Sequence, residues 1–193
     1  KFSIFLNSFG SLYSIDTERL EINWFINLNK SVDLSPSNLF YANQIIHENN
    51  KVIVSTKDNT YLIDANNGII LEKKNFSSII QPIIYGEYIF FVTDNDLLIS
   101  MSLNDGKILY SYNINQLVAD YLNTKKKKVL SKNLLFLNNE IFIFLANSYL
   151  INFNMNGSLK DLRKLPAKIN SEVIVIAERV LFLGKDNKIR LIN

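Results

Sequence analysis

Apolar and polar positions along this chain fall into a pattern that returns. An apolar run is followed by a polar turn, a second run, a second polar turn and a third run. The clearest copy is Asn50-Lys-Val-Ile-Val-Ser-Thr-Lys-Asp58-Asn-Thr-Tyr-Leu-Ile-Asp64-Ala-Asn-Asn-Gly68-Ile-Ile-Leu71. Another runs through Glu87-Tyr-Ile-Phe-Phe-Val and Asp96-Leu-Leu-Ile-Ser-Met-Ser102-Leu-Asn-Asp-Gly106. A third runs through Glu140-Ile-Phe-Ile-Phe and Ser148-Tyr-Leu-Ile-Asn-Phe-Asn154-Met-Asn-Gly157. The start, Phe2-Ser-Ile-Phe-Leu with Gly10-Ser-Leu-Tyr-Ser-Ile-Asp16, fits the same frame. So does the end, Arg179-Val-Leu-Phe-Leu with Asn187-Lys-Ile-Arg-Leu-Ile-Asn193. Short runs rich in β-branched and aromatic residues between Asn, Asp and Gly clusters predict strands.

Aligned on Asp16, Asp64, Ser102, Asn154 and Asn193, the copies step by 48, 38, 52 and 39 residues. The two short steps predict a unit of about 40 residues, the size of one four-stranded propeller blade. The two long steps are that unit with an insertion, at residues 29–42 and 115–130. A fourth strand precedes the later copies, at Gln44-Ile-Ile-His47, Gln81-Pro-Ile-Ile-Tyr85, Asn133-Leu-Leu-Phe136 and Glu172-Val-Ile-Val-Ile176. The expectation is an all-β chain, a partial β-propeller of about four to five four-stranded blades in one region, residues 1–193. Its blade pieces are 1–28, 43–75, 80–114, 131–165 and 170–193. No segment carries a sustained helical stripe; the 115–130 insertion has room for one helical turn.

The turns repeat chemically as well. Six residues before the aligned positions stand Gly10, Asp58, Asp96, Ser148 and Asn187, all types that accept tight-turn geometry. The second turn ends on Gly68, Gly106 and Gly157, which predicts positive φ there. Only the first copy departs, with Leu20 at the glycine position. Ile15, Ile63, Met101, Phe153 and Ile192 share one register position, and at least four of the five are expected to be largely buried.

Composition narrows the function. The chain has 193 residues, 48% hydrophobic and 12% aromatic, enough for a packed core. Cysteine is absent, so disulfides and thiolate chemistry are excluded. The apolar window 134–153 is cut by Asn138, Asn139, Glu140, Asn147 and Asn152 into strand-length pieces, too short for a membrane helix. His47 is the only histidine, which leaves no Ser-His-Asp triad or multi-histidine zinc site. Acidic and amide clusters (Asp58-Asn59, Asp94-Asn-Asp96, Asn104-Asp105, Asp186-Asn187) recur where turns are needed, so they read as turn chemistry rather than calcium ligands. The net charge of +3 owes much to one tract, Lys125, Lys126, Lys127 and Lys128. Without interleaved aromatics this tract does not predict a nucleic-acid partner. It is the candidate partner-contact loop, with anionic lipid headgroups, an acidic partner, or a plain solvated loop tip as its readings.

The order strand, turn, short strand, acidic or Asn residue, Gly, apolar strand, Trp resembles the PQQ-like β-propeller repeat. Gly10-Ser-Leu-Tyr-Ser-Ile-Asp16 leading to Trp24, and Tyr61-Leu-Ile-Asp64-Ala-Asn-Asn-Gly68, carry it best. Tyr110 stands at the Trp position of the third copy, while Glu72 and Asp161 replace it elsewhere. Within that superfamily the chain is similar to the C-terminal half of the BamB family of outer-membrane assembly lipoproteins, through Gln81-Pro-Ile-Ile-Tyr-Gly-Glu-Tyr-Ile-Phe-Phe91 and the stretch from Arg179 to Asn193. The resemblance implies a non-enzymatic scaffold for protein–protein interaction in outer-membrane β-barrel assembly, in the periplasm. It implies membrane association only through an N-terminal lipid anchor lying outside this sequence. It implies no cofactor, and no partner-binding residue carries over. Counting strands gives B to D of one blade, three complete blades and A to C of another, so the expectation is a fragment, or two chains completing a ring. Two other readings stay open: a fragment of a PQQ-dependent quinoprotein dehydrogenase, and a propeller sensor or interaction domain unrelated to membranes.

Overall fold

The computed structural model describes residues 1–29, 40–42, 45–78, 80–177 and 179–192. They form two compact units, Lys1–Ser78 and Ile79–Asn193. The first contains two antiparallel sheets. One is β1 (Phe2–Leu6), β2 (Ser11–Asp16) and β3 (Glu21–Asn27); the other is β4 (Ile46–Glu48), β5 (Lys51–Ser55), β6 (Thr60–Asp64) and β7 (Ile70–Lys74). Side chains alternate across a strand, so each sheet offers one face to the other. Leu12 and Trp24 meet Val52, Val54, Tyr61 and Ile63 in the core between them.

The second unit contains three sheets. The first is β8 (Ile83–Tyr85), β9 (Tyr88–Val92), β10 (Leu97–Ser102) and β11 (Ile108–Asn113), followed by α1 (Ile114–Tyr121). The next is β12 (Ser131–Leu137), β13 (Glu140–Leu145), β14 (Tyr149–Asn154) and β15 (Leu159–Lys164). The last is β16 (Ile174–Ile176), β17 (Arg179–Leu183) and β18 (Ile189–Ile192). The middle sheet is covered on both faces. Ile141, Ile143, Ile151 and Phe153 pack with Phe90, Val92 and Leu98 on one side. Phe144 and Leu150 pack with Val180 and Phe182 on the other. Two buried faces explain why the strands read as nearly continuous apolar runs rather than alternating ones.

The repeat extends to details below the level of strands. In four sheets the pairing slips by one residue at the same place: Ser14/Ile15, Leu62/Ile63, Ser100/Met101 and Asn152/Phe153. Such a bulge bends and twists the strand locally. The glycines that end the second turn all take positive φ: 74° at Gly68, 64° at Gly106 and 80° at Gly157. Leu20 takes it too, at φ 58°. Gly10, Asp96, Ser148 and Asn187 in the first turn also lie in the left-handed region. Asp58 does not, and its turn is held by the Thr56 hydroxyl, which donates to Asn59 O (2.9 Å) and accepts from Asn59 N (3.1 Å).

Two expectations need correction. Of the five register-equivalent residues, Ile63, Met101 and Phe153 are fully buried, but Ile15 and Ile192 are only half-buried. Ile15 lies on the face of its sheet opposite Leu12, Ser14 and Trp24, away from the core between the two sheets. Ile192 packs on the Phe182 core from the last described residue. The 115–130 insertion holds two helical turns rather than one, starting at Ile114. Asn113 caps it, its side chain accepting from Gln116 N at 2.9 Å, and Ile114 and Val118 are buried on one face. Among the described residues no helix is long and apolar enough to cross a membrane. The apolar window 134–153 falls instead on β12, β13 and β14.

Candidate interaction surface

The aromatic position of the repeat is a docking device. Trp24 on β3 donates its indole N–H to Ala65 O at 2.9 Å. Its ring covers Gly68, where an added Cβ would lie 2.7 Å from Trp24 Cε3. Tyr110 on β11 does the same in the second unit. Its hydroxyl donates to Met155 O at 2.8 Å, and a Cβ on Gly157 would lie 2.6 Å from Tyr110 Cε2. Ala65 and Met155 each follow the aligned Asp64 and Asn154, so the two contacts are equivalent. Burial pushes the Tyr110 hydroxyl up to about 12. Glu72 instead pairs with Lys74 at 2.9 Å, and Asp161 is exposed.

The acidic and amide clusters are occupied by their own turns. Asp16 Oδ1 accepts from the amides of Glu18 and Arg19 (2.8 and 2.9 Å), which holds its carboxyl below the usual range, the Arg19 amide first. Asp64 Oδ1 accepts from Asn66 N at 2.8 Å. Asp105 is held well below the usual carboxylate range, chiefly by Lys107 and then by Ser102. Among the described residues no three His, Cys, Asp or Glu side chains gather into a metal-sized group. His47 is exposed on β4, edge-on to the Phe2 ring with centroids 5.8 Å apart.

The lysine tract lies on a defined loop between α1 and β12. Thr124 N donates to Ala119 O (2.9 Å) and Ala146 N to Leu130 O (2.9 Å), fixing both ends of the loop. Buried Asn115 accepts from Val129 N at 3.2 Å through its side chain, drawing the returning chain onto the helix. Lys125, Lys126, Lys127 and Lys128 between these anchors are all exposed. The other insertion, 29–42, lies over residues 30–39 outside the described residues.

Reading the sequence alone missed what surrounds this loop. A cleft of about 360 Å³ is lined by Lys132, Asn133, Asn170, Ser171, Glu172 and Lys185. It lies where the start of β12 meets the segment before β16 and the turn before β18. Lys185 N donates to Lys168 O at 2.8 Å, bringing a further lysine to the same place. These lysines sit in separate repeats. The available signal was their position, beside the connections and turns that antiparallel strands place at one end of a sheet.

No protein-family model matches the sequence, and no curated protein matches it. Solved structures do. BamB from Moraxella catarrhalis aligns over 99% of this chain and 55% of its own length, with TM-score 0.74 and 10% identity. The computationally designed Ika8 protein aligns over 98% of this chain and 54% of its own, with TM-score 0.70 and 10% identity. BBS1N, crystallised in complex with ARL6DN, aligns over 97% and 59%, with TM-score 0.64 and 11% identity. The chain spans a little over half the length of each. At this level of identity the likeness shows the fold: five antiparallel sheets of three or four strands belonging to a partial β-propeller.

Proposed function

We propose that the chain is part of a non-enzymatic propeller scaffold of the PQQ-like type that binds protein partners, working like BamB in outer-membrane β-barrel assembly. The observation that carries this reading is the alignment of 99% of the chain with BamB at TM-score 0.74. The equivalent docking of Trp24 and Tyr110 onto the next turn supports the PQQ-like character of the repeat. BBS1N, of similar fold, was crystallised with a protein partner, ARL6DN. A fold does not fix a function, so the reading rests on surfaces: rigid sheets presenting anchored loops. The loop bearing Lys125, Lys126, Lys127 and Lys128 is exposed and held at both ends, and it is the proposed contact element of the scaffold, with anionic lipid headgroups or an acidic partner as what it meets. Action in the periplasm, with attachment through a lipid anchor outside this sequence, belongs to the same proposal. Two assays test it together. Immobilised chain should retain the barrel-assembly machinery from detergent extracts of outer membranes, and should reduce no dye when supplied with PQQ and calcium. Dye reduction without retention would favour the quinoprotein reading instead.

A further inference from the structure

In each sheet of the second unit, antiparallel pairing places the turn between the second and third strands at one end. The connection to the next sheet lies at that same end. Backbone hydrogen bonds join these segments: Ile114 N to Asp96 O (2.8 Å), Ala146 N to Leu130 O (2.9 Å), Leu165 N to Ser148 O (2.7 Å) and Lys185 N to Lys168 O (2.8 Å). The cleft between Lys132 and Lys185 spans the last two sheets there. This end of the unit carries Lys125, Lys126, Lys127, Lys128, Lys132, Lys164, Lys168, Lys185 and Lys188, all exposed. Among the described residues none of the nine forms an ion pair. The carboxylates of this end are fewer, and two are engaged. Asp186 is bound by Arg190 (2.6 Å) and Asp120 accepts from Gln116 (2.8 Å), while Asp96 is buried and Asp94 and Glu172 complete the set. At the opposite end two of the lysines are matched, Lys107 pairing with Asp105 at 2.9 Å and Lys160 with Glu140, and Arg179 is the further cation there.

The lysine tract also has apolar neighbours that face solvent. Tyr121 is 53% exposed and Leu122 37% on one side of it, and Leu130 is 54% exposed on the other. We propose that this end of the second unit seats on the surface of an anionic lipid bilayer. The lysines would meet headgroup phosphates, and Tyr121, Leu122 and Leu130 would enter the interfacial layer. Lysine clusters beside exposed Leu and Tyr are the chemistry of peripheral membrane attachment. Lysine is depleted from the cores of protein interfaces, and single-stranded nucleic acid calls for aromatic rings interleaved with the cations, which the tract from Lys125 to Lys128 does not have. The inference concerns what the lysine-bearing end meets. It stands whether or not the protein partner is the barrel-assembly machinery, and it adds a membrane contact to the expected lipid anchor.

Flotation of the full chain with lipid vesicles tests it. The chain should float with phosphatidylcholine vesicles containing phosphatidylglycerol, fail to float with phosphatidylcholine alone, and be released as salt rises. Each lysine removed should weaken partitioning roughly fivefold. The combined Lys125→Gln, Lys126→Gln, Lys127→Gln and Lys128→Gln variant should therefore bind several-hundred-fold less well, with unchanged circular dichroism. Leu130→Ser should weaken vesicle binding at every salt concentration. The proposal is overturned by absence of flotation at low salt, by equal flotation with neutral vesicles, or by a quadruple variant that floats like the parent. Capture by polyglutamate beads without vesicle binding would overturn it too, and assign this end to an acidic protein.

Discussion

Leu20 offers a direct test of how far the repeat dictates the backbone. It occupies the position where Gly68 and Gly106 stand in other copies, and it takes the same left-handed conformation, φ 58°. Its amide donates to Asp16 O at 2.9 Å, as Gly68 donates to Asp64 O and Gly106 to Ser102 O at 2.9 Å each. An L-residue with a side chain loses about 1–2 kcal/mol in this conformation. Glycine removes that strain but costs roughly 0.5–1 kcal/mol of extra unfolded-state entropy. Leu20 is 81% exposed, so little packing is lost with its side chain. Leu20→Gly should therefore stabilise the chain by about 0.5–1 kcal/mol, raising Tm by about 1–4 °C for a protein of this size. The reverse change, Gly68→Ala, should destabilise by more than about 1 kcal/mol, since it combines positive φ with a Cβ 2.7 Å from the Trp24 ring. Urea unfolding followed by fluorescence reads both, because Trp24 is the only tryptophan and is 9% exposed. A Leu20→Gly variant that is less stable than the parent would refute the reasoning.

Tyr110→Phe should cost about 1 kcal/mol in the same assay, since the ring can still cover Gly157 while the hydrogen bond to Met155 O is lost. The Tyr110 hydroxyl is raised from 10.0 to about 12 in the folded chain, so its contribution is complete below pH 10 and is lost as pH rises through about 12. A pH titration of unfolding should show that alkaline loss in the parent and less of it in the Phe variant. Asn113→Ala should cost about 1 kcal/mol by uncapping α1, read as lower urea stability, whereas Asn113→Ser should restore most of it. Lys125→Gln with Lys126→Gln, Lys127→Gln and Lys128→Gln should leave the unfolding midpoint unchanged, because all four are exposed.

Much of this fold was legible because local chemistry and tertiary structure agree. Val52, Ile53 and Val54 predict a strand, and both faces of that strand are buried. Gly68, Gly106 and Gly157 predict positive φ and take it. Leu20 shows the limit of such reading: its side chain disfavours the turn, and only alignment with the other copies indicates it. The recurring bulge at Ser14, Leu62, Ser100 and Asn152 left no mark in residue type, because it arises from cross-strand pairing. Helix α1 exceeds the single turn expected because its two turns supply only a short apolar stripe, Ile114, Val118 and Ala119. The cationic end could not be read along the chain. Lys132, Lys168 and Lys185 lie in different segments and meet only when neighbouring sheets stack.

The central proposal is that this part of a propeller works by holding a protein rather than by chemistry on a small molecule. Calorimetric titration of the purified chain tests it most directly, with purified barrel-assembly machinery in one experiment and PQQ with calcium in the other. The account predicts saturable binding of the machinery, weakened by salt, and no heat of binding with PQQ and calcium. Saturable uptake of PQQ with no response to the machinery would contradict it.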